Sequence, residues 1–163
     1  DPIVAIIVAS NIIYTGYKLI RESIGELMNE TDPELLQQIT DKLNEIRRDY
    51  WIDIHHLRFW KSSDRIFIDF HLILPYYFNI RQSHDEEKYI EDELAKELND
   101  PQITIHMDYC DEKLCKYCDY EGCKHRSEDQ KERVEWTSEK LIGIPLKEHE
   151  NVDRTKGQFV ELK

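Results

Sequence analysis

Residues 2–17 form an apolar stretch without a single charge, closed by Lys18 and Arg21, and everything beyond it is hydrophilic and acidic. Such a segment has to be buried, either in lipid or in protein. It falls slightly short of the roughly 20 residues that cross a bilayer as a helix. The chain opens at Asp1 without an initiator Met, so an upstream continuation is expected. Tyr14 and Tyr17 followed by Lys18 and Arg21 match an interfacial aromatic belt with a positive flank. That order predicts a helix in the cell (inner) membrane and places residues after about 21 in the cytoplasm. A secretory signal carries its positive charges before the apolar run, not after it. The competing reading is a buried helix of a soluble protein, which Ser10, Asn11 and Thr15 keep open.

The whole chain has 163 residues and a formal net charge of -12. That length holds one folded unit plus appendages. The charge repels phosphate backbones, and no basic cluster offsets it, so no nucleic-acid partner is expected and cations are the natural ligands. All four Cys lie within residues 110–123, too local to staple a whole secreted fold, and the cytoplasm is reducing. Metal binding is therefore favoured over disulfides.

Beyond the apolar segment the pattern predicts one compact unit. Thr31 or Asp32 can cap a helix with Pro33 in its first turn, and Leu35, Leu36, Ile39, Leu43 and Ile46 recur at helical spacing to about Arg48. Residues 52–60 are rich in β-branched and aromatic side chains, residues 61–64 supply a turn, and residues 65–74 alternate, which together predict an antiparallel hairpin. Pro75 ends it. Residues 80–98 return to helical spacing, with Ile90, Leu94 and Leu98 on one side, and stop at Asn99, Asp100 and Pro101. Residues 102–108 alternate again. The order helix, strand, strand, helix, strand is that of an α+β two-layer unit, with helices on one face of a small mixed sheet.

Alternation in the strands carries the chemistry. Ile66, Ile68, Phe70, Leu72 and Leu74 share one face of the second strand, so Phe67, Asp69, His71 and Ile73 point the other way. In the third strand Ile103, Ile105 and Met107 form the apolar set and leave Thr104, His106 and Asp108 opposite. His71, His106 and Asp108 thus converge on the open side of one sheet, as ligands that suit zinc or a similar divalent cation. His55 precedes Leu57 and Phe59 with the same parity and His84 opens the second helix, so either can reach this region. The competing reading is ordinary surface histidines, since the chain has seven.

The text DPIVAIIVASNIIYTGYKLIRESIGELMN, then DPELLQQI, IHHLRFWKSSDRIFIDFHLIL and ITIHMDYC, resembles the end of a cation diffusion facilitator, a family of membrane exporters of zinc and related metals. The first piece is similar to the family's last transmembrane helix. The rest is similar to its cytoplasmic, ferredoxin-like and metallochaperone-like α-β-β-α-β domain, which forms a homodimer. This resemblance implies metal ligands at His55, His71 and His106, with Asp108 beside the last and His84 near the second helix. It also implies that they sit at the dimer interface, where metal favours the closed dimer. His56 stands where many relatives have Asp, and the ligands for the transported ion belong to earlier helices.

A second constellation is Cys110, Cys115, Cys118 and Cys123, spaced C-x4-C-x2-C-x4-C, with His125 two residues on. Its central C-x-x-C has zinc-knuckle spacing. Leu114, Tyr117 and Tyr120 are too few hydrophobes to bury a core there, so order would need a staple. A disordered thiol-rich tail, a redox pair and an iron–sulfur site remain open. Residues 128–140 predict a helix with Val134 and Trp136 on one side, residues 141–146 are a short apolar patch broken by Gly143 and Pro145, and the chain beyond Lys147 reads as solvated or disordered.

The expected organisation is therefore residues 1–28 as the last membrane helix and its flank, 29–109 as the cytoplasmic metal-sensing and dimerising domain, 110–126 as a Cys-rich metal-binding extension, and 127–163 as a charged tail, partly helical or disordered. The functional expectation is the regulatory part of a zinc-type efflux transporter. The alternative is a soluble ferredoxin-like metal-binding module. A metal-dependent hydrolase is disfavoured because no general base stands beside the His and Asp set in a recognisable motif.

Overall fold

The computed structural model describes residues 2–27, 32–62 and 64–147. Helix α1, Pro2–Leu27, contains the apolar stretch, and its span Pro2–Arg21 is long and apolar enough to cross a membrane. Ile3, Ile6, Ile12, Ile13 and Leu19 are all exposed on it. The Thr15 hydroxyl donates to Asn11 O at 2.8 Å, so that polar side chain is satisfied within the helix.

Helix α2, Pro33–Glu45, starts where Pro33 can occupy the first turn at no cost in hydrogen bonds. Of the two candidate caps, Asp32 takes the role, accepting the amides of Glu34 and Leu35 at 3.1 Å each. Its carboxylate also receives Lys61 Nζ at 2.7 Å, and this hydrogen bond, with the cap, holds the Asp32 pKa below the usual carboxylate range. Strands β1, Asp53–Ser62, and β2, Arg65–Leu74, pair antiparallel. Helix α3, Ile80–Leu94, opens on a capping box in which Asn79 and Gln82 each accept the other's backbone amide at 3.0 Å. It ends one turn before the predicted limit, but Leu98 stays in the core beside Ile90 and Leu94. Strand β3, Pro101–Tyr109, then pairs parallel with β2, giving a mixed sheet of order β1-β2-β3.

The core lies between this sheet and helices α2 and α3. Ile39, Leu43, Trp51, Ile54, Ile68, Phe70, Leu72, Ile90 and Leu94 are fully or almost fully buried. Glu86 of α3 is drawn in with them. It accepts Trp51 Nε1 at 2.8 Å, Arg48 Nη1 at 2.9 Å and the Tyr50 hydroxyl at 3.0 Å, so its charge is matched and fully hydrogen-bonded.

After β3 the structure corrects the sequence reading twice. The second face of the sheet is open only in part. Leu114 and Cys118, on and just after the 3-10 turn Glu112–Tyr117, bury Ile52 and Ile73 against it. And residues 128–137 do not form a helix. They run extended into the short helix α4, Ser138–Ile142, and bury Val134, Trp136 and Leu141 in the main core. The amides of Lys131 and Glu132 donate to Lys116 O at 2.8 and 3.1 Å, Arg47 Nη1 donates to Val134 O at 2.7 Å, and Asn44 Nδ2 donates to Trp136 O at 2.8 Å. Those bonds use backbone groups that a helix would have needed. Val134 and Trp136 are two residues apart, the spacing of one face of an extended chain. The part of the expected tail beyond residue 147 lies outside the described residues.

Candidate metal centre

Strand register brings the histidines together. His55 of β1 pairs across from His71 of β2, and His71 pairs with His106 of β3, so one row of imidazoles crosses the sheet. The next row is Asp53, Ile73 and Asp108. Both rows lie on the face turned away from α2 and α3.

Simple alternation had placed His55 on the same side as Leu57 and Phe59, yet Leu57 and Phe59 pack in the core. The register shifts between His55 and Arg58, where two residues of β1 oppose one of β2, and His56 takes φ 54°. This β-bulge turns His55 to the far face while keeping Leu57 inside. The His56 amide displaced by the bulge donates to Gly143 O at 2.9 Å, just beyond α4.

Three side chains offer ligand atoms that all lie within 4.8 Å of one another: His55, His71 and Asp108. Asp108 Oδ2 is 2.8 Å from His71 Nδ1 and 3.7 Å from His55 Nε2. His55 is buried, whereas His71 and Asp108 are half-buried, so the group is held on one side and reachable on the other. Two imidazoles and a carboxylate are a donor set for zinc and other borderline divalent ions, and the spacing fits one ion drawing them together. The exposed His106 stacks on His71 at 4.8 Å between ring centroids, and His56 lies 5.5 Å from His71. His84 stands apart, exposed at the start of α3 and bonded to Glu87 at 3.2 Å.

Asp53 was missed by the sequence reading. It is fully buried, its Oδ2 lies 3.4 Å from His55 Nδ1, and its Oδ1 lies 2.7 Å from Lys140 Nζ of α4. The contact is one of charge, not a hydrogen bond, and a carboxylate beside the ring nitrogen remote from the ligand group favours the tautomer and orientation that bind a metal. Asp53, two residues before His55 in a strand, was the available signal. The contribution of Lys140, 87 positions after Asp53 by numbering (140 less 53), had none.

The four cysteines gather elsewhere. With His125 they line one cavity of about 30 Å³ at the end of the sheet, and none is in a disulfide. Burial, and then the neighbouring thiols, push Cys110 up to about 11 and Cys118 up as well, so both are protonated at neutral pH in the absence of a cation.

An α+β unit of this element order, with a mixed three-stranded sheet, belongs to the ferredoxin-like, metallochaperone-like class. Residues 31–110 match the family described as cation efflux protein, cytoplasmic domain, and that segment is a domain of this family. It is 30% identical over 109 residues to an uncharacterized transporter of Synechocystis, sll1263, covering 66% of this chain and 35% of that protein. It is 28% identical over 128 residues to the zinc transporter ZitB of Pectobacterium atrosepticum, covering 72% of this chain and 36% of ZitB. The chain thus spans about a third of the length of these curated relatives. A solved structure of CzrB is 26% identical with a TM-score of 0.46, covering 50% of this chain and 99% of that one.

Proposed function

We propose that the chain is the cytoplasmic end of a divalent-cation exporter together with its last membrane helix, and that cation bound at the sheet face regulates it by closing a homodimer. The observation that carries this reading is the His55, His71 and Asp108 group, inside the segment that matches the cation efflux cytoplasmic domain. ZitB is named a zinc transporter, which supports zinc or a similar ion as ligand and cargo. His55, His71 and Asp108 would hold the ion, with Asp53 orienting His55. The exposed His106 and His84 are available to an ion shared with a second protomer. A bound divalent cation supplies positive charge that joins carboxylate and imidazole groups which otherwise have no reason to stay in register between two chains. Closure follows from the difference in affinity of the two states for the ion. Zinc added to the purified full chain in detergent should raise the dimer fraction in sedimentation velocity. A profile unmoved by saturating zinc would overturn regulation by this route.

For α1 the same reading puts Pro2–Arg21 across the inner membrane, with Lys18 and Arg21 at the cytoplasmic side. The exposed apolar side chains of that helix support it, since lipid gives them the apolar surroundings that water does not. A tag at the C-terminus of the full-length transporter should therefore resist external protease on intact cells and be cleaved after lysis. Cleavage on intact cells would reverse the orientation.

A further inference from the structure

Cys110, Cys115, Cys118, Cys123 and His125 take no part in the His55 group, yet the fold brings all five to one small cavity. We propose that the four thiols form a separate thiolate site for a single soft or borderline divalent cation of the zinc class, with His125 as a substitute ligand, and that this ion clasps the chain after β3 onto the sheet.

The backbone is already arranged for thiolates. The amide of Ser127 donates to the Cys115 sulfur at 3.5 Å. A neutral thiol is a weak acceptor, and such bonds gain most of their strength when the sulfur is charged. Arg126 fixes the loop from outside, donating through Nη2 to Cys118 O and Tyr120 O at 2.9 Å each. Its guanidinium also offsets part of the negative charge that four thiolates and one divalent ion would leave.

Packing alone supplies little here. The buried cluster under this segment is Ile52, Ile73, Leu114 and Cys118, and residues 118–137 have neither helix nor strand. The four sulfurs line one cavity, and a single ion in tetrahedral coordination is what four thiolates can enclose. Closing the sulfurs around it at about 2.3 Å each would supply folding free energy that this apolar surface cannot. The site also has somewhere to transmit that order. Lys116, between the two central cysteines, accepts the amides of Lys131 and Glu132, and from there the chain leads to Trp136 and to Lys140 on Asp53.

The test is cobalt titration of the reduced full chain, followed by alkylation of the native protein and mass measurement. The expected result is one equivalent of cobalt with strong thiolate-to-cobalt absorption, four thiols protected when loaded and exposed after chelation. The absorption should persist in a His71→Ala, Asp108→Ala variant, which separates this site from the sheet-face reading. It should vanish with one metal equivalent in Cys115→Ser, Cys118→Ser. Absence of thiolate absorption with all four thiols freely alkylated in the loaded wild type would overturn the site. So would disulfides in the protein as isolated under native conditions, or a protein-bound iron–sulfur chromophore. Because chelation of the wild type gives the same readout, the outcome stands even where the double variant does not fold.

Discussion

Zinc binding at the sheet face is expected to fall by at least about 100-fold in a His71→Ala variant, with the fold intact. Loss of a group that only orients a ligand typically weakens a metal site about 10- to 100-fold. Removal of a direct ligand should exceed that. His71 sits at the centre of the group, 2.8 Å from Asp108 Oδ2 and stacked between His55 and His106 at 5.0 and 4.8 Å. Its side chain is 23% exposed and outside the core, so truncation leaves no buried cavity of consequence. Asp53→Asn tests the same site from behind. Asn keeps the shape but loses the charge that faces His55 and Lys140, and the expected loss is about 10- to 100-fold in affinity. Competition against a chromophoric chelator, in the Cys115→Ser, Cys118→Ser background so that only the sheet-face ion is counted, measures both. Equal affinity of His71→Ala and wild type would remove His71 from the site.

What the sequence made legible was whatever one element decides by itself. The apolar positions of α2 and α3 and the outward side of His71, His106 and Asp108 follow from periods of 3.6 and 2 within single segments, while the cap of α2 was narrowed to Thr31 or Asp32. Register could not be read that way. The row of His55, His71 and His106 exists because three strands pair at particular positions, and His55 joins it only through the bulge at His56. His56 carries no residue signal for a left-handed turn comparable to a glycine, and its amide finds an acceptor only at Gly143, far along the chain. Asp53 drew no notice in the sequence, because the Lys140 that balances it lies far along the chain.

The segment after Arg126 shows the same limit from the opposite direction. Its many charges suggested a solvated tail or a surface helix, because composition averages over residues whereas burial is decided by a few. Arg47 is an example. Its guanidinium stacks 4.0 Å over the Trp136 ring while Nη1 holds Val134 O, so a charged residue of α2's C-terminal flank becomes the seat of an apolar one. Burial pushes the Arg47 pKa down, against the pull of Asp119, which lies 3.8 Å from Nη2.

Loss of this segment is therefore expected to be the most damaging change outside the strands. Trp136 is 3% exposed and Leu141 fully buried, both in the main core. Trp136→Ala should cost about 3–5 kcal/mol and Leu141→Ala about 2–5 kcal/mol, against the roughly 5–15 kcal/mol that holds a domain of ordinary stability together. Trp136→Phe should cost much less. The Trp136 Nε1–H is buried without a hydrogen-bond partner, so the smaller ring gives up packing but also removes an unsatisfied donor. Ending the chain at residue 126 adds a second penalty, because Asp53 keeps its fully buried carboxylate and loses Lys140. Denaturant unfolding followed by Trp fluorescence and by far-ultraviolet circular dichroism should rank wild type, Trp136→Phe, Leu141→Ala and Trp136→Ala in falling midpoint. The truncated chain should lack a cooperative transition. A truncated chain with the wild-type midpoint would mean that α2, α3 and the sheet close their core unaided, and that residues 127–147 merely lie on it.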